Sequence, residues 1–153
     1  MLEFLIPYGY LGLFVASFLA ATILPFSSEI VLVSLLTFSY DEFTYSPTLI
    51  LFSATIGNFL GGATNYYLGR FCKIEWLNKY LGFNEKKLDK TSKYIQKYGE
   101  YIAFFSWVPI IGDPLCIALG WFKVKQARFL LFMFVGKLMR YLILIIIFYK
   151  TIK

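Results

Sequence analysis

Histidine is absent from the 153 residues, and the only two cysteines, Cys72 and Cys116, stand far apart. Neither a His/Cys metal site nor a disulfide framework organises such a chain, and the two thiols read as small apolar fillers. A G-x-S-x-G elbow, a phosphate-cradling glycine loop with its lysine and a cluster of metal-ligand residues are missing too, so common hydrolytic and nucleotide chemistry has no carrier. No catalytic residue, metal or cofactor is expected, and the chain is not read as an enzyme. Acidic residues are also scarce, nine against fifteen Lys and Arg, which leaves a formal net charge of +6. Most of the basic residues fall in one loop between hydrophobic segments, where orientation in a membrane accounts for them without a nucleic-acid partner. The opening Met-Leu-Glu-Phe lacks the basic region of a signal peptide, so residues 4–24 are expected to stay in the mature protein. Neither end shows a lipidation motif.

Apolar residues are plentiful: 59% of the chain is hydrophobic and 21% aromatic, more than a soluble domain of this length covers with polar surface. Stretches of membrane-spanning length recur at 4–24, 48–68, 101–122 and 129–149, which predicts one compact membrane domain. The loop 39–47 holds Asp41 and Glu42 and no base, whereas 70–100 holds Arg70, Lys73, Lys79, Lys86, Lys87, Lys90, Lys93 and Lys97. The positive-inside rule puts the first loop outside and the second in the cytoplasm, so 48–70 crosses once as a transmembrane helix. Lys123, Lys125 and Arg128 then make the far flank of 101–122 cytoplasmic as well. A segment with both flanks on one side must re-enter, and Pro109, Gly112, Asp113 and Pro114 supply the break. Residues 126–149 form the next transmembrane helix. The span 1–38 is too long for one crossing and short for two, and it is interrupted at Pro25, Ser27 and Ser28, so it reads as a first re-entrant hairpin; residues 4–24 alone are long enough to span, which leaves the side of Met1 open.

The two halves share a pattern. Pro25-x-x-x-Glu29 matches Pro109-x-x-x-Asp113, Phe38 and Phe122 follow each acid nine residues later, and each hairpin leads into a membrane helix. The expected fold is therefore an all-α membrane protein. Two oppositely oriented re-entrant helical hairpins, each followed by a transmembrane helix, make an inverted repeat. Residues 71–100 connect the halves on the cytoplasmic side. Within them 84–98 reads as an amphipathic surface helix, with Asn84 as its cap and Leu88, Ile95 and Tyr98 as an apolar stripe among lysines; it either lies on anionic lipid headgroups or is an ordinary solvated connector.

Glu29, Asp113, Lys137 and Arg140 lie inside apolar segments. A charge at the bilayer centre costs roughly 2.5–3.5 kcal/mol even on a lenient scale, so four unpaired charges would cost on the order of 10 kcal/mol. They must pair, face water or become neutral. Lys137 and Arg140 share a helix face, and if the hairpin tips meet at mid-membrane, the two acids reach them in one polar cavity. An ion-pair network that only holds helices together is the plainer alternative. Along 48–70, Ala54, Gly57, Asn58, Gly61, Gly62, Asn65 and Gly69 fall largely on one face, which favours close helix packing within the monomer or in a homo-oligomer. Asn58 and Asn65 carry donors that hydrocarbon leaves unsatisfied. Arg70 closes the helix, either snorkelling or holding a lipid phosphate.

The runs LPFSSEIVLVSLL, GNFLGGATNYYLGR, FFSWVPIIGDPLCIALGWF and GKLMRYL, which together sample nearly the whole chain, resemble the DedA/VTT (SNARE-associated) membrane protein superfamily, and within it the short YqaA-like branch. The resemblance implies two facing re-entrant hairpins with membrane helices after each. It also implies a bacterial cytoplasmic (inner) membrane location. Better-studied members are linked to lipid movement across bilayers: undecaprenyl phosphate recycling and phosphatidylethanolamine flipping in bacteria, some coupled to the proton-motive force, and phospholipid scrambling in eukaryotes. The acid after the first hairpin's proline corresponds to Glu29. The larger branch carries a further acid in the first hairpin, where this chain has Ala20 and Ala21. It also has two arginines in the second, where this chain has Trp107 and Asp113. The expected function is a lipid translocase or scramblase for an anionic phospholipid or polyprenyl phosphate, with membrane lipids as partners. Lys137, Arg140 and Arg70 would receive the phosphate, Glu29 and Asp113 would balance them or carry protons, and Asn58 and Asn65 would line the site. The alternatives are a proton-driven secondary transporter of a small solute or ion and a non-transporting scaffold.

Overall fold

The computed structural model describes residues 6–22, 28–42, 45–71, 85–108 and 111–152, and all the regular structure among them is helical. In chain order the elements are α1 (Ile6–Ala20), α2 (Ser28–Glu42), α3 (Pro47–Phe71), α4 (Glu85–Ile102), a 3-10 turn (Ala103–Trp107), α5 (Gly112–Trp121) and α6 (Gln126–Ile152). Pro25, Pro109, Asn84 and Cys72, all singled out in the sequence, lie outside the described residues.

The local sequence explains several boundaries. Pro47 opens α3, where its missing N–H is no loss. Gly112 and Pro114 occupy the first turn of α5 with Asp113 between them, so the glycine and proline begin this helix rather than interrupt it. A Cβ at residue 112 would collide with the Ser106 carbonyl, so only glycine lets the chain double back there. At its other end α5 closes in a Schellman motif. The Lys123 N–H reaches the Gly120 carbonyl at 2.9 Å and the Val124 N–H reaches that of Leu119 at 3.2 Å, with Lys123 in the left-handed region at φ 54°. Val124 and Leu119, which flank this motif, are both buried. The helix α4 runs across the boundary drawn at residues 100 and 101 and leads directly into the 3-10 turn.

α3 and α6 lie antiparallel. Tyr66 stacks on Phe129 with ring centroids 4.3 Å apart, Gly62 faces Met133 and Lys137, and Ile50 clusters with Tyr141 and Ile145. α1 runs parallel to α3, since the Tyr10 carbonyl accepts from Ser53 and the Ala21 carbonyl from Asn65. The glycine face of α3 is used inside the chain. Gly57 and Gly61 seat the Phe14 and Phe18 carbonyls of α1, and Gly69 seats the Ile117 carbonyl of α5.

Two apolar clusters result, one at each end of the α3–α6 pair. One gathers Leu13, Leu32, Leu36, Ile50 and Tyr141; the other gathers Tyr66, Leu119, Val124, Phe129 and Met133. The outside is also apolar. Leu49, Phe52, Ile56, Leu60, Leu131, Val135, Ile143 and Ile147 are exposed, while Thr55, Asn58, Asn65 and Lys137 are buried. This inside-out distribution suits a lipid environment and opposes an aqueous one. Residues 126–151 form the one helix among the described residues that is long and apolar enough to cross a membrane by length and composition. α3, at 25 residues, extends for about 37 Å. Thr55, Asn58 and Asn65 lower its hydropathy but turn inward.

Candidate functional site

Between the apolar clusters lies a layer of charge. Lys137 is centred in α6, roughly 16 Å from the helix start, and is only 1% exposed. Its ammonium donates to Asn58 Oδ1 on α3 and faces Asp113 Oδ1 on α5 at 3.9 Å. One turn on, Arg140 forms an ion pair with Glu29 of α2 and donates to the Trp107 carbonyl at 3.1 Å. A pair of bases three residues apart thus receives acids from two different helices, α2 and α5, one beside each base. The carboxylates remain partly open: the Glu29 side chain is 38% exposed and that of Asp113 is 32% exposed, against 2% for Lys137.

Hydroxyl groups widen this layer. Ser28 and Tyr141, the neighbours of Glu29 and Arg140 in sequence, hydrogen-bond to each other at 3.0 Å. The Thr55 hydroxyl is buried without a hydrogen-bond partner among the described residues, and those of Ser17 and Ser106 are buried near the Tyr141 hydroxyl and the Cys116 thiol. Buried groups of this kind are ready to hold water or a polar part of a ligand. Apart from Ser28, named in the sequence only as part of the break in residues 1–38, none of these residues stood out in the sequence. The adjacency of Ser28 to Glu29 and of Tyr141 to Arg140 was a signal that could have found two of them. The Trp107 carbonyl, a backbone acceptor freed where the helix ends, leaves no trace in residue identity.

The sequence-derived set does not all converge. Glu29, Asn58, Asp113, Lys137 and Arg140 meet in the layer. Asn65 is 1% exposed and donates to the Ala21 carbonyl at 2.6 Å, which ties the end of α1 to α3. Arg70 lies two turns beyond Gly62, toward the basic end. It donates to the Tyr66 hydroxyl at 2.7 Å, which in turn donates to the Val124 carbonyl at 2.6 Å. Of the hairpin-break residues, Gly112 and Pro114 sit at the start of α5, so that Asp113 enters the layer from a first helical turn. Among the described residues no three His, Cys, Asp or Glu side chains gather as a metal site would require.

The model of the VTT domain matches residues 24–150, which contain every charged residue of this layer. The chain belongs to the VTT domain (DedA) family. Its YqaA-like character is borne out by the Inner membrane protein YqaA of Escherichia coli, 35% identical over 85% of this chain and 84% of that protein. An uncharacterised protein of Haemophilus influenzae is 32% identical over 87% of this chain and 83% of its own length. An Alkaline phosphatase-like protein of Lactococcus lactis is 29% identical over 90% of this chain and 68% of its own length. No solved structure matches. The VTT protein described here is thus a membrane protein of the bacterial inner membrane, like its YqaA relative.

Proposed function

We propose that this VTT protein moves an anionic lipid, a phospholipid or a polyprenyl phosphate, across the membrane as a translocase or scramblase. The observation that carries the reading is the half-open charged layer at the middle of α6. There Arg140 and Lys137 are held by acids that remain partly accessible, between two apolar ends. A lipid phosphate entering this layer would exchange with the Glu29 carboxylate on the Arg140 guanidinium. One acceptor anion replaces another, so the guanidinium need not be left bare in a low-dielectric setting. The second base, Lys137, supplies charge from behind, and the acyl chains stay among the exposed apolar side chains.

The inverted-repeat reading draws support from contacts that repeat in the two halves. Gly57 on α3 seats the Phe14 carbonyl, and Gly136 on α6 seats that of Phe104. Three residues after each aromatic, the Ser17 carbonyl accepts from Asn58 and the Trp107 carbonyl accepts from Arg140. The residues after the two glycines, Asn58 and Lys137, bond to each other across the antiparallel pair. On this reading each hairpin enters from its own face of the bilayer, and the charged layer lies where the tips meet.

Reconstituted into vesicles with fluorescent phosphatidylglycerol, the protein is expected to expose inner-leaflet label to an impermeant quencher faster than protein-free vesicles do. Vesicles that behave alike with and without protein would contradict the assignment for phospholipids, and a labelled polyprenyl phosphate tests the other lipid class in the same way. A proton-driven transporter of a small solute is the second reading, favoured by the two part-exposed carboxylates. Saturable uptake of a soluble anion, lost in Glu29→Gln while lipid movement persists at background, would select it. The enzyme name of the Lactococcus relative finds no metal-binding or nucleophile–base set among the residues of this layer, and the proposal is not enzymatic.

A further inference from the structure

α4 carries a second feature, distinct from the charged layer. Its inward face is settled: Ile95 and Gly99 lie against Leu119 and Val124, and Glu100 pairs with Arg128 at 2.7 Å. Its outward face presents Tyr94, Tyr98, Tyr101 and Phe105, exposed by 65, 40, 56 and 57% and spaced four, three and four residues apart. One stripe therefore runs along the helix and onto the 3-10 turn.

The neighbours of this stripe fix its depth. Glu100 is level with Arg128, near the start of α6, and the Tyr101 ring lies 5.4 Å from that of Phe132, one turn further in. The Phe104 carbonyl is seated at Gly136, close to the charged layer. The stripe thus begins beyond the basic end of the bundle, crosses the rim at Tyr98 and continues into the apolar zone. Tyrosines at that level suit the boundary between headgroups and acyl chains, ring in hydrocarbon and hydroxyl in water. Lys93 and Lys97 are exposed beside it, the Lys97 ammonium lying 5.3 Å from the Tyr98 ring centre. Lys123, Lys125 and Arg128 are exposed on the adjoining turn and helix start.

We propose that this face of α4 is a selective binding surface for anionic phospholipid headgroups of the leaflet at the basic end. A second copy would bring these lysines face to face, whereas an anionic headgroup is attracted by them. Each lysine near such a surface raises lipid preference about fivefold. The inference rests on the membrane location of the chain and not on lipid transport.

The test uses the full chain in lipid bilayers, with a bimane label at Tyr94→Cys in a Cys72→Ser background; Cys116 is buried and labels slowly. Quenching by nitroxide-bearing phosphatidylglycerol is compared with quenching by the phosphatidylcholine analogue. Phosphatidylglycerol should quench at a several-fold lower mole fraction. K93Q/K97Q, with retained helical content, should lower that preference several-fold, and high salt should weaken it further. A control label at Phe52→Cys, exposed on α3 toward the other end of the bundle, should show no such preference. Lys137→Met should leave the preference intact, which separates a failure of the transport reading from a failure here. Equal quenching by both lipids at position 94, or a preference unchanged in K93Q/K97Q, would overturn the proposal. Self-quenching that rises with protein density and disappears in Tyr98→Ala would place a second copy on the stripe instead, and would overturn it equally.

Discussion

Arg140 illustrates why single residues in this protein carry unusual weight. It shares its guanidinium between the Glu29 carboxylate on α2 and the Trp107 carbonyl, so a change at either acid or base leaves a charge stranded beside hydrocarbon. Glu29→Gln is expected to destabilise the protein by about 2 kcal/mol, less than a fully buried pair because both groups are partly open. Denaturant unfolding in mild detergent measures it, and a variant as stable as the parent would show the pair to be idle. Lys123 tests a different effect. It holds the left-handed position of the turn after α5, a conformation that costs a non-glycine residue roughly 1 kcal/mol. Lys123→Gly should raise the unfolding midpoint accordingly, and a lowered midpoint would mean that the lysine side chain matters more than the backbone there.

At the scale of the element, α3 organises its neighbours through absent side chains. Gly57, Gly61 and Gly69 admit carbonyls of α1 and α5 to a distance that a Cβ forbids. Gly69→Val should therefore prevent α5 from seating and cost about 3 kcal/mol, an overpacking penalty against backbone that no rotamer change relieves. The same substitution at Gly12, where an added Cβ meets nothing within 4 Å, should be close to neutral. Thermal unfolding of the two variants side by side distinguishes packing within the chain from a general intolerance of bulk. The glycine face was legible in the sequence from its spacing, but spacing is symmetric between a partner helix in the same chain and one in another copy. The fold assigns it to α1 and α5, with Gly62 facing α6. The charged residues were legible for a related reason: in hydrocarbon, Glu29, Asp113, Lys137 and Arg140 are too costly to be incidental. Their pairing was not, because Lys137 could face either acid until the antiparallel register of α3 and α6 set Asn58 beside it. Asn65 entered the candidate set as a donor on the small-residue face of an apolar segment, and Arg70 as the base that closes it. Their hydrogen bonds to Tyr66 and Ala21 are consequences of three-dimensional register that no linear pattern encodes.

On the scale of the molecule, the basic residues Lys93, Lys97, Lys123, Lys125 and Arg128 gather near the junction of α4, α5 and α6, whereas Lys150 lies near the opposite end of α6. The positive-inside rule then predicts a cytoplasmic junction and an external C-terminal end of α6. A reporter fused after Lys153 should be active only in the form that functions outside the cytoplasm, and cytoplasmic activity would reverse the orientation. Between the two ends stands the charged layer, the feature that a passive anchor has no reason to maintain. The most direct test of its role is lipid flip-flop in proteoliposomes, with fluorescent phosphatidylglycerol and dithionite as impermeant quencher, comparing the parent chain with Lys137→Met. Lys137 and Met are similar in length, so the variant removes charge while nearly keeping volume. The account predicts quenching well beyond the outer-leaflet half for the parent, and a return to the protein-free level for a Lys137→Met protein that remains folded. Undiminished lipid movement in that folded variant would contradict it.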